Sequence, residues 1–200
     1  MADLHHALCT FHETIKDCQK CALAAGRTQV VFGSGNPDAD IMFVGEAPGY
    51  YEDKEGRPFV GAAGKLLDRL LREIGLQRSE IFIANVLKCR PPQNRDPLPE
   101  EVEACKPYLL HQIALIKPGV ICTLGNFATQ LLLEKKVGIT KVRGRAFQGK
   151  NYCVFPMLHP AAALHREALQ AAVREDFQNL RAFLDQGLPP AAAQAQMQLL

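Results

Sequence analysis

Four short runs of apolar residues, each bounded by polar or turn-forming residues, punctuate the chain: Ile41-Met42-Phe43-Val44, Ile81–Leu87, Val120–Leu124 and Val154–Leu158. Runs of that length fit strands buried on both faces. Between them the period changes. From Ala62 to Gly75 the apolar positions are Leu66, Leu67, Leu70, Leu71 and Ile74, the stripe of an amphipathic helix stopped by a glycine. Further helices are predicted over 3–24, interrupted by Cys18-Gln19-Lys20-Cys21, and over 126–133 and 166–184. Another starts near Pro99, where Glu100, Glu101 and Glu103 suit the positive end of its dipole, and Pro107 should kink or restart it before Leu109–Ile116. A hairpin centred on Gly149-Lys150 precedes the last strand. Strands alternating with helices imply an α/β fold with a central, mainly parallel four-stranded sheet covered on both faces. In such sheets ligands bind beyond the carboxyl ends of the strands. Attention therefore falls on Gly45–Gly49, Asn85–Arg95, Gly125-Asn126 and His159-Pro160.

Composition narrows the class. With 200 residues, 48% hydrophobic and 22% charged, the chain is expected to form one globular domain over 1–185. Residues 186–200, rich in Ala, Gln and Pro and without charge, are expected to form a flexible tail. No apolar run approaches the roughly 20 residues of a membrane span, and no basic region followed by an apolar core marks a secretory signal. A reducing cytosol is the expected setting, in which the 7 cysteines do not form a disulfide framework. The net charge of +2 announces no nucleic-acid partner by itself.

Cys18 and Cys21 form a C-x-x-C pair, Cys89 follows the second strand, and Cys105 lies near a helix proline. These four can converge on one metal centre, and four thiolates suit either tetrahedral zinc or an iron–sulfur cluster. Spacing does not separate the two. Cys122 and Cys153, within strands, and Cys9, on the first helix, read as small core residues.

The strand ends carry the remaining chemistry. Gly45-Glu46-Ala47-Pro48-Gly49 is a tight turn whose backbone N–H groups suit an anion or a carbonyl oxygen. It is neither a G-x-G-x-x-G fingerprint nor a P-loop. Phe59, in a glycine-flanked loop before a helix, is either a core plug or a stacking platform for a flat ring. His159 ends the last strand and faces the same crevice.

Taken together, V-G-E-A-P-G (44–49), E-D-K-x-G-R-P-F-V-G (52–61), N-V-x-K-C-R-P-P-Q-N-R (85–95), I-T-K-V-R-G (139–144) and P-M-L-H-P (156–160) resemble the family 4 uracil-DNA glycosylases of bacteria and archaea. The resemblance spans roughly residues 15–185. It implies a three-layer α/β/α sandwich, a structural [4Fe–4S] cluster on Cys18, Cys21, Cys89 and Cys105, and hydrolytic removal of uracil from DNA in base excision repair. Within that reading His159 and the Gly45–Gly49 turn, with Gly45 and Ala47, meet the negative charge that develops on uracil O2. Phe59 stacks on the flipped base. Asn85 accepts from N3–H and donates to O4, which disfavours cytosine. Glu52 stands where it would wall off the methyl of thymine. The family's relatives position water with an Asp in the first motif, a residue absent here, so Glu46 or Glu52 takes that task, helped by Asn94.

The resemblance also gives the charge distribution a meaning. Residues 135–150 hold Lys135, Lys136, Lys141, Arg143, Arg145 and Lys150 without an acid, so this +6 stretch leaves −4 for the rest. Lys141, Arg143 and Arg145 are candidate phosphate contacts, and Leu164, in the loop after His159, is a candidate wedge for the gap left by the base. Gln196–Leu200 resembles the short glutamine–leucine motifs by which bacterial repair proteins dock on the replication sliding clamp. A monomer acting on single- or double-stranded uracil-containing DNA, in the cytoplasm and near the nucleoid, is the expectation. Two rivals are set aside. Superfamily members that bond covalently to uracil-DNA carry an inserted loop with a histidine, and 86–105 contains no His. A non-catalytic nucleic-acid-binding module would not need the strand-end set.

Overall fold

A computed structural model describes residues 2–149, 151–164 and 166–187. The chain opens with α1 (Ala2–Ile15) and a 3-10 turn (Ala22–Ala25). It continues through β1 (Ser34–Gly35), β2 (Ile41–Gly45), α2 (Tyr50–Glu55), α3 (Ala62–Glu73), β3 (Phe82–Asn85), α4 (Pro99–Ile116) and β4 (Val120–Leu124). It closes with α5 (Asn126–Leu133), α6 (Ile139–Val142), β5 (Phe147–Gln148), β6 (Cys153–Met157), α7 (Pro160–Leu164) and α8 (Glu167–Asp185).

The sheet runs β1-β3-β2-β4-β6-β5 and has 6 strands, not four. The four apolar runs form its parallel centre, β3-β2-β4-β6. The two added strands are antiparallel edges of two residues each, too short to show a period in sequence. Pro156 lacks an N–H, and it lies where β5 has already ended, so no ladder bond is lost. Its carbonyl instead accepts from Gly144 N at 2.8 Å.

Alternate residues of each central strand enter opposite cores, which makes the mainly parallel α/β expectation a three-layer sandwich. Phe43 and Ile83 pack with Leu67, Leu71 and Phe177 of α3 and α8. Met42, Val44 and Ala84 pack with Leu8, Leu109, Ile113 and Ala128 of α1, α4 and α5. The α3 stripe buries Leu67, Leu70 and Leu71, with Ile74 just beyond, as its period predicts. Fully burying side chains of this kind stabilises by about 1.5–3 kcal/mol each.

Three expectations need correction. The first helix ends at Ile15, and the cysteine-bearing segment is a turn that begins with Cys18 N donating to Ile15 O. Pro107 does not restart α4, which runs unbroken through it. The carbonyl it strands, that of Glu103, belongs to an exposed residue and can be met by water. Cys9 is exposed, because α1 turns Leu8 and Ile15 inward and Cys9 sits about 100° around the helix from Leu8. Cys122 and Cys153 are buried in their strands. Lys150, half of the expected hairpin centre, and the tail from residue 188 with its Gln196–Leu200 motif, lie outside the described residues.

Candidate active site

β2 and β3 end side by side, with Gly45 paired to Asn85. The turn after β2, the segment after β3 and the segment after β6 enclose a cavity of about 380 Å³ at this end of the sheet. Glu46, Ala47, Glu52, Phe59, Asn85, Asn94 and His159 all line it. Its size falls in the range of about 300–1,000 Å³ typical of small-molecule sites.

Gly45 is glycine for a steric reason. A Cβ there would stand 2.4 Å from Asn85 Oδ1 and 2.9 Å from Phe59 Cε2. Its absence lets the Asn85 amide and the Phe59 ring approach each other over the strand end. Asn85 Oδ1 is buried and finds no hydrogen-bond partner among the described residues. An orphaned buried acceptor costs about 1–3 kcal/mol, so this oxygen is set for a donor supplied by a ligand.

Phe59 is buried in the core and also forms part of the cavity wall, so packing as a plug does not keep its ring from the cavity. Its φ of 54° is the left-handed region that non-glycine residues seldom occupy. Two devices hold it there. Arg78 reaches back from beyond α3 to donate to the carbonyl of Phe59 at 2.8 Å and to that of Pro58, while pairing with Asp68 at 3.0 Å. Gly64, in the first turn of α3, lets the Phe59 backbone pack on the helix, since a Cβ would fall 1.8 Å from Phe59 O. The Phe59 ring stacks toward His159, with centroids 5.5 Å apart and planes at 27°.

The hydrogen bonding of His159 assigns its tautomer. Ala161 N donates to Nδ1 at 3.1 Å, so Nδ1 is the acceptor and Nε2 carries the proton. Burial pushes the imidazole down to about 4 against an opposing pull from Glu52, so the ring is neutral at physiological pH. Asp176 of α8 braces the approach to it by accepting from Leu158 N at 2.8 Å.

The carboxylates divide. Glu46 is half-buried, and burial, helped by Asp96, pushes it up to about 7. Glu52 uses one oxygen to accept from Val60 N and Gly61 N, both at 2.9 Å, fixing the loop that carries Phe59. Asn94 sits at the rim with a φ of 55° and accepts from Arg90 Nε at 2.7 Å.

Of the basic stretch, Lys141 and Arg145 are exposed, whereas Arg143 is not free. It donates to Glu175 and to the Ala172 carbonyl. Its Nε also stands 2.9 Å from the buried Asp176 carboxylate, close enough for an ion pair though misaligned for a hydrogen bond. Its charge is neutralised against α8, which removes it from the candidate phosphate contacts. Leu164 is exposed at the end of α7, a short helix where a loop was expected, and borders a groove against α3 and α8 outside this cavity.

Cys18, Cys21, Cys89 and Cys105 line one small cleft between the N-terminal turn, the segment after β3 and α4. Donors reach three of the four sulfurs. Tyr108 Oη donates to Cys18 at 3.1 Å, Lys88 N to Cys105 at 3.2 Å, and Arg27 to Cys89 at 3.5 Å. Among the described residues no His, Cys, Asp or Glu group of three or more converges as it would around a single metal ion. Burial pushes the Cys105 thiol up to about 11 and raises that of Cys89. Lys88 is itself fully buried, and its ammonium donates to Asn85 O at 2.9 Å and to Gln112 Oε1 at 2.6 Å. It thereby ties the cavity to α4.

Arg78, Gly64 and Lys88 escaped the sequence reading. Arg78 acts on backbone carbonyls nearly twenty residues away and leaves no local signal. Gly64 left one, since a glycine inside a helix costs about 0.5–1 kcal/mol and so asks for a close approach. Lys88, a lone cation at the end of an apolar run, left another.

The family model of the Uracil DNA glycosylase superfamily matches residues 32–181. The chain is 52% identical over 178 residues to the type-4 uracil-DNA glycosylase of Sulfurisphaera tokodaii, covering 84% of this chain and 81% of that protein. It is 49% identical to the type-4 uracil-DNA glycosylase of Thermotoga maritima, over 86% of this chain and 92% of that one. The type-4 uracil-DNA glycosylase of Archaeoglobus fulgidus is 48% identical, over 83% and 87%.

Proposed function

The chain belongs to the uracil DNA glycosylase superfamily, and from that premise we propose how its residues divide the work. It is a uracil-DNA glycosylase: it removes uracil from DNA, in DNA repair, by hydrolysing the N-glycosidic bond.

As that bond breaks, its electron pair passes to the base and positive charge develops on the sugar. His159, neutral with its proton on Nε2, donates to uracil O2, where the negative charge accumulates. Neutrality suits the role: the donor is aimed at the oxyanion and has no need to shed a proton first. Backbone N–H groups of the Gly45–Gly49 turn, including Ala47, reinforce that edge. Phe59 stacks on the flipped ring. Asn85 Oδ1 accepts from N3–H and Nδ2 donates to O4. Cytosine presents the reverse pattern and leaves buried groups unpaired, at about 1–3 kcal/mol each. Glu46 accepts a proton from the attacking water, with Asn94 helping to hold that water. Glu52 fixes the Phe59 loop and walls the side where thymine carries its methyl.

The observation that carries this reading is the buried, unpartnered Asn85 Oδ1 facing a stacking ring and a neutral N–H donor. The test is uracil release from single-stranded DNA by wild type and by Asn85→Ala and His159→Ala. Loss of release in both variants is expected, and full release by His159→Ala would remove the oxyanion role.

Cys18, Cys21, Cys89 and Cys105 are proposed to hold a [4Fe–4S] cluster. The donors on the Cys18, Cys89 and Cys105 sulfurs suit thiolates, the form in which cysteine binds metal. When bound, the cluster supplies a cross-link between the N-terminal turn and α4, since hydrolysis moves no electrons. Lys141 and Arg145 remain as phosphate contacts, and Leu164 as a wedge near the gap. Docking of Gln196–Leu200 on the sliding clamp is proposed from sequence alone. One copy acting by itself, in a reducing cell interior beside the chromosome, completes the reading.

A further inference from the structure

Tyr50 and Tyr51, 45% and 60% exposed, are the only consecutive pair among the large apolar side chains that the described residues leave in water. They occupy the first turn of α2, between Gly49 and Glu52, both of which line the cavity. Their rings meet edge to face, with centroids 5.4 Å apart and planes at 81°. Two cations face Tyr50: Lys54 Nζ lies 4.6 Å and the Arg90 guanidinium 5.1 Å from its centroid. Arg90 also donates to Asn94 at the cavity rim, which joins the aromatic pair to the site. Tyr51 lies beside Gly61, where a Cβ would stand 3.5 Å from its Cδ2, and is otherwise the more open of the two rings. Tyr50 is thus braced, and Tyr51 leans on it, the pair flanked in the chain by two residues of the cavity wall, Gly49 and Glu52.

Leaving two rings in water does nothing for the fold, and pairing them with cations beside residues of the cavity wall matches a particular ligand. A strand of nucleic acid offers flat bases for the rings and phosphates for the cations. We propose that Tyr51, supported by Tyr50, stacks on the nucleobase adjacent to the flipped uridine of the same strand, with Lys54 and Arg90 set against the neighbouring phosphates. The proposal rests on the glycosylase reading and extends it. Flipping the uridine deprives its neighbour of one stacked face, and Tyr51 replaces that face. In a duplex the neighbour is still held by its own base pair, so the platform favours single-stranded substrate.

Binding is measured by fluorescence anisotropy with a single-stranded oligonucleotide carrying one 2′-fluoro-2′-deoxyuridine, which resists hydrolysis. Its neighbours are thymidines in one version and abasic spacers in the other. Tyr51→Ala is expected to weaken binding of the thymidine-flanked strand about tenfold, within the 1–3 kcal/mol typical of a base–aromatic stack. Tyr51→Phe keeps the wild-type affinity, and on the spacer-flanked strand all three proteins bind alike. Unchanged binding by Tyr51→Ala, or an equal loss on both strands, overturns the proposal and leaves the pair to a protein partner. Uracil release by wild type from the ordinary deoxyuridine strand is measured in parallel. Release without a Tyr51 effect sinks the platform alone, whereas no release by wild type sinks the glycosylase reading and the platform with it.

Discussion

The strand-end cavity and the cysteine cleft are built from the two ends of one five-residue segment, Asn85 to Cys89, and they are finished in opposite ways. At Asn85 a buried acceptor is left without a partner among the described residues. At the cleft, Cys18, Cys89 and Cys105 each receive a protein donor. An unmet buried group makes a site that is more stable when something binds and is free to lose it again. Sulfurs that are already hydrogen-bonded suit a group that stays. The difference separates a place for a transient ligand from a place for a resident one, and Lys88 joins the two by donating to Asn85 O and to Gln112 on α4.

The comparison breaks if damage to the cleft behaves like damage to the cavity. Cys105→Ser is expected to cost about 4 kcal/mol or more in stability, in the range reserved for loss of a metal or disulfide. Thermal unfolding measures it, together with loss of the absorbance near 400 nm expected of an iron–sulfur protein. The fraction that remains folded should still release uracil. His159→Ala is expected to do the reverse, with the uracil-release rate falling about 10²–10³-fold and the melting temperature holding. A cleft variant that stays stable but inactive would merge the two regions into one functional unit.

These regions were unequally legible in the sequence. The central strands stood out because buried parallel strands are apolar runs, and His159 because it is a polar residue directly after one; Asn85 lies inside the run Ile81–Leu87, and it is the structure that ends β3 there. The edges β1 and β5 did not, since two residues carry no period. Arg143 looked like a phosphate contact because charge is visible in sequence, while its ion-pair partners Glu175 and Asp176 lie more than thirty residues away on α8. Cys9 shows the limit of residue type alone: the helix phase that exposes it depends on which face of α1 meets the sheet.

Gly64→Ala acts on the cavity side. Its Cβ would fall 1.8 Å from Phe59 O, and backbone cannot yield as a flexible side-chain tip does. The expected cost is about 1–3 kcal/mol of stability from overpacking, accompanied by a roughly tenfold loss of uracil release as Phe59 shifts. Here the support of a cavity residue, Phe59, carries a stability cost, because a residue in left-handed backbone is held only by its surroundings. Calorimetry and single-turnover kinetics on the one variant measure both, and an unaltered rate would show that the ring position tolerates movement.

The smallest effect at neutral pH is the one that best isolates the cavity. Burial lifts Glu46 to about 7 and drops His159 to about 4. A base must be deprotonated to take a proton from water, so kcat/KM in the free enzyme should rise with pH through about 7 and level off above it. At pH 7 the loss against the plateau is only about twofold, and each further unit downward costs about tenfold until His159 begins to protonate near 4. The Nε2 donor is present on both sides of the Glu46 titration, so His159 adds no second limb between pH 5 and 8. Glu46→Gln should therefore be slower than wild type at the plateau and flat across that interval. Cys105→Ser, acting through stability alone, should keep the limb near 7 in its folded fraction. A limb that survives in Glu46→Gln would assign the titration to another group and release Glu46 from the role of base.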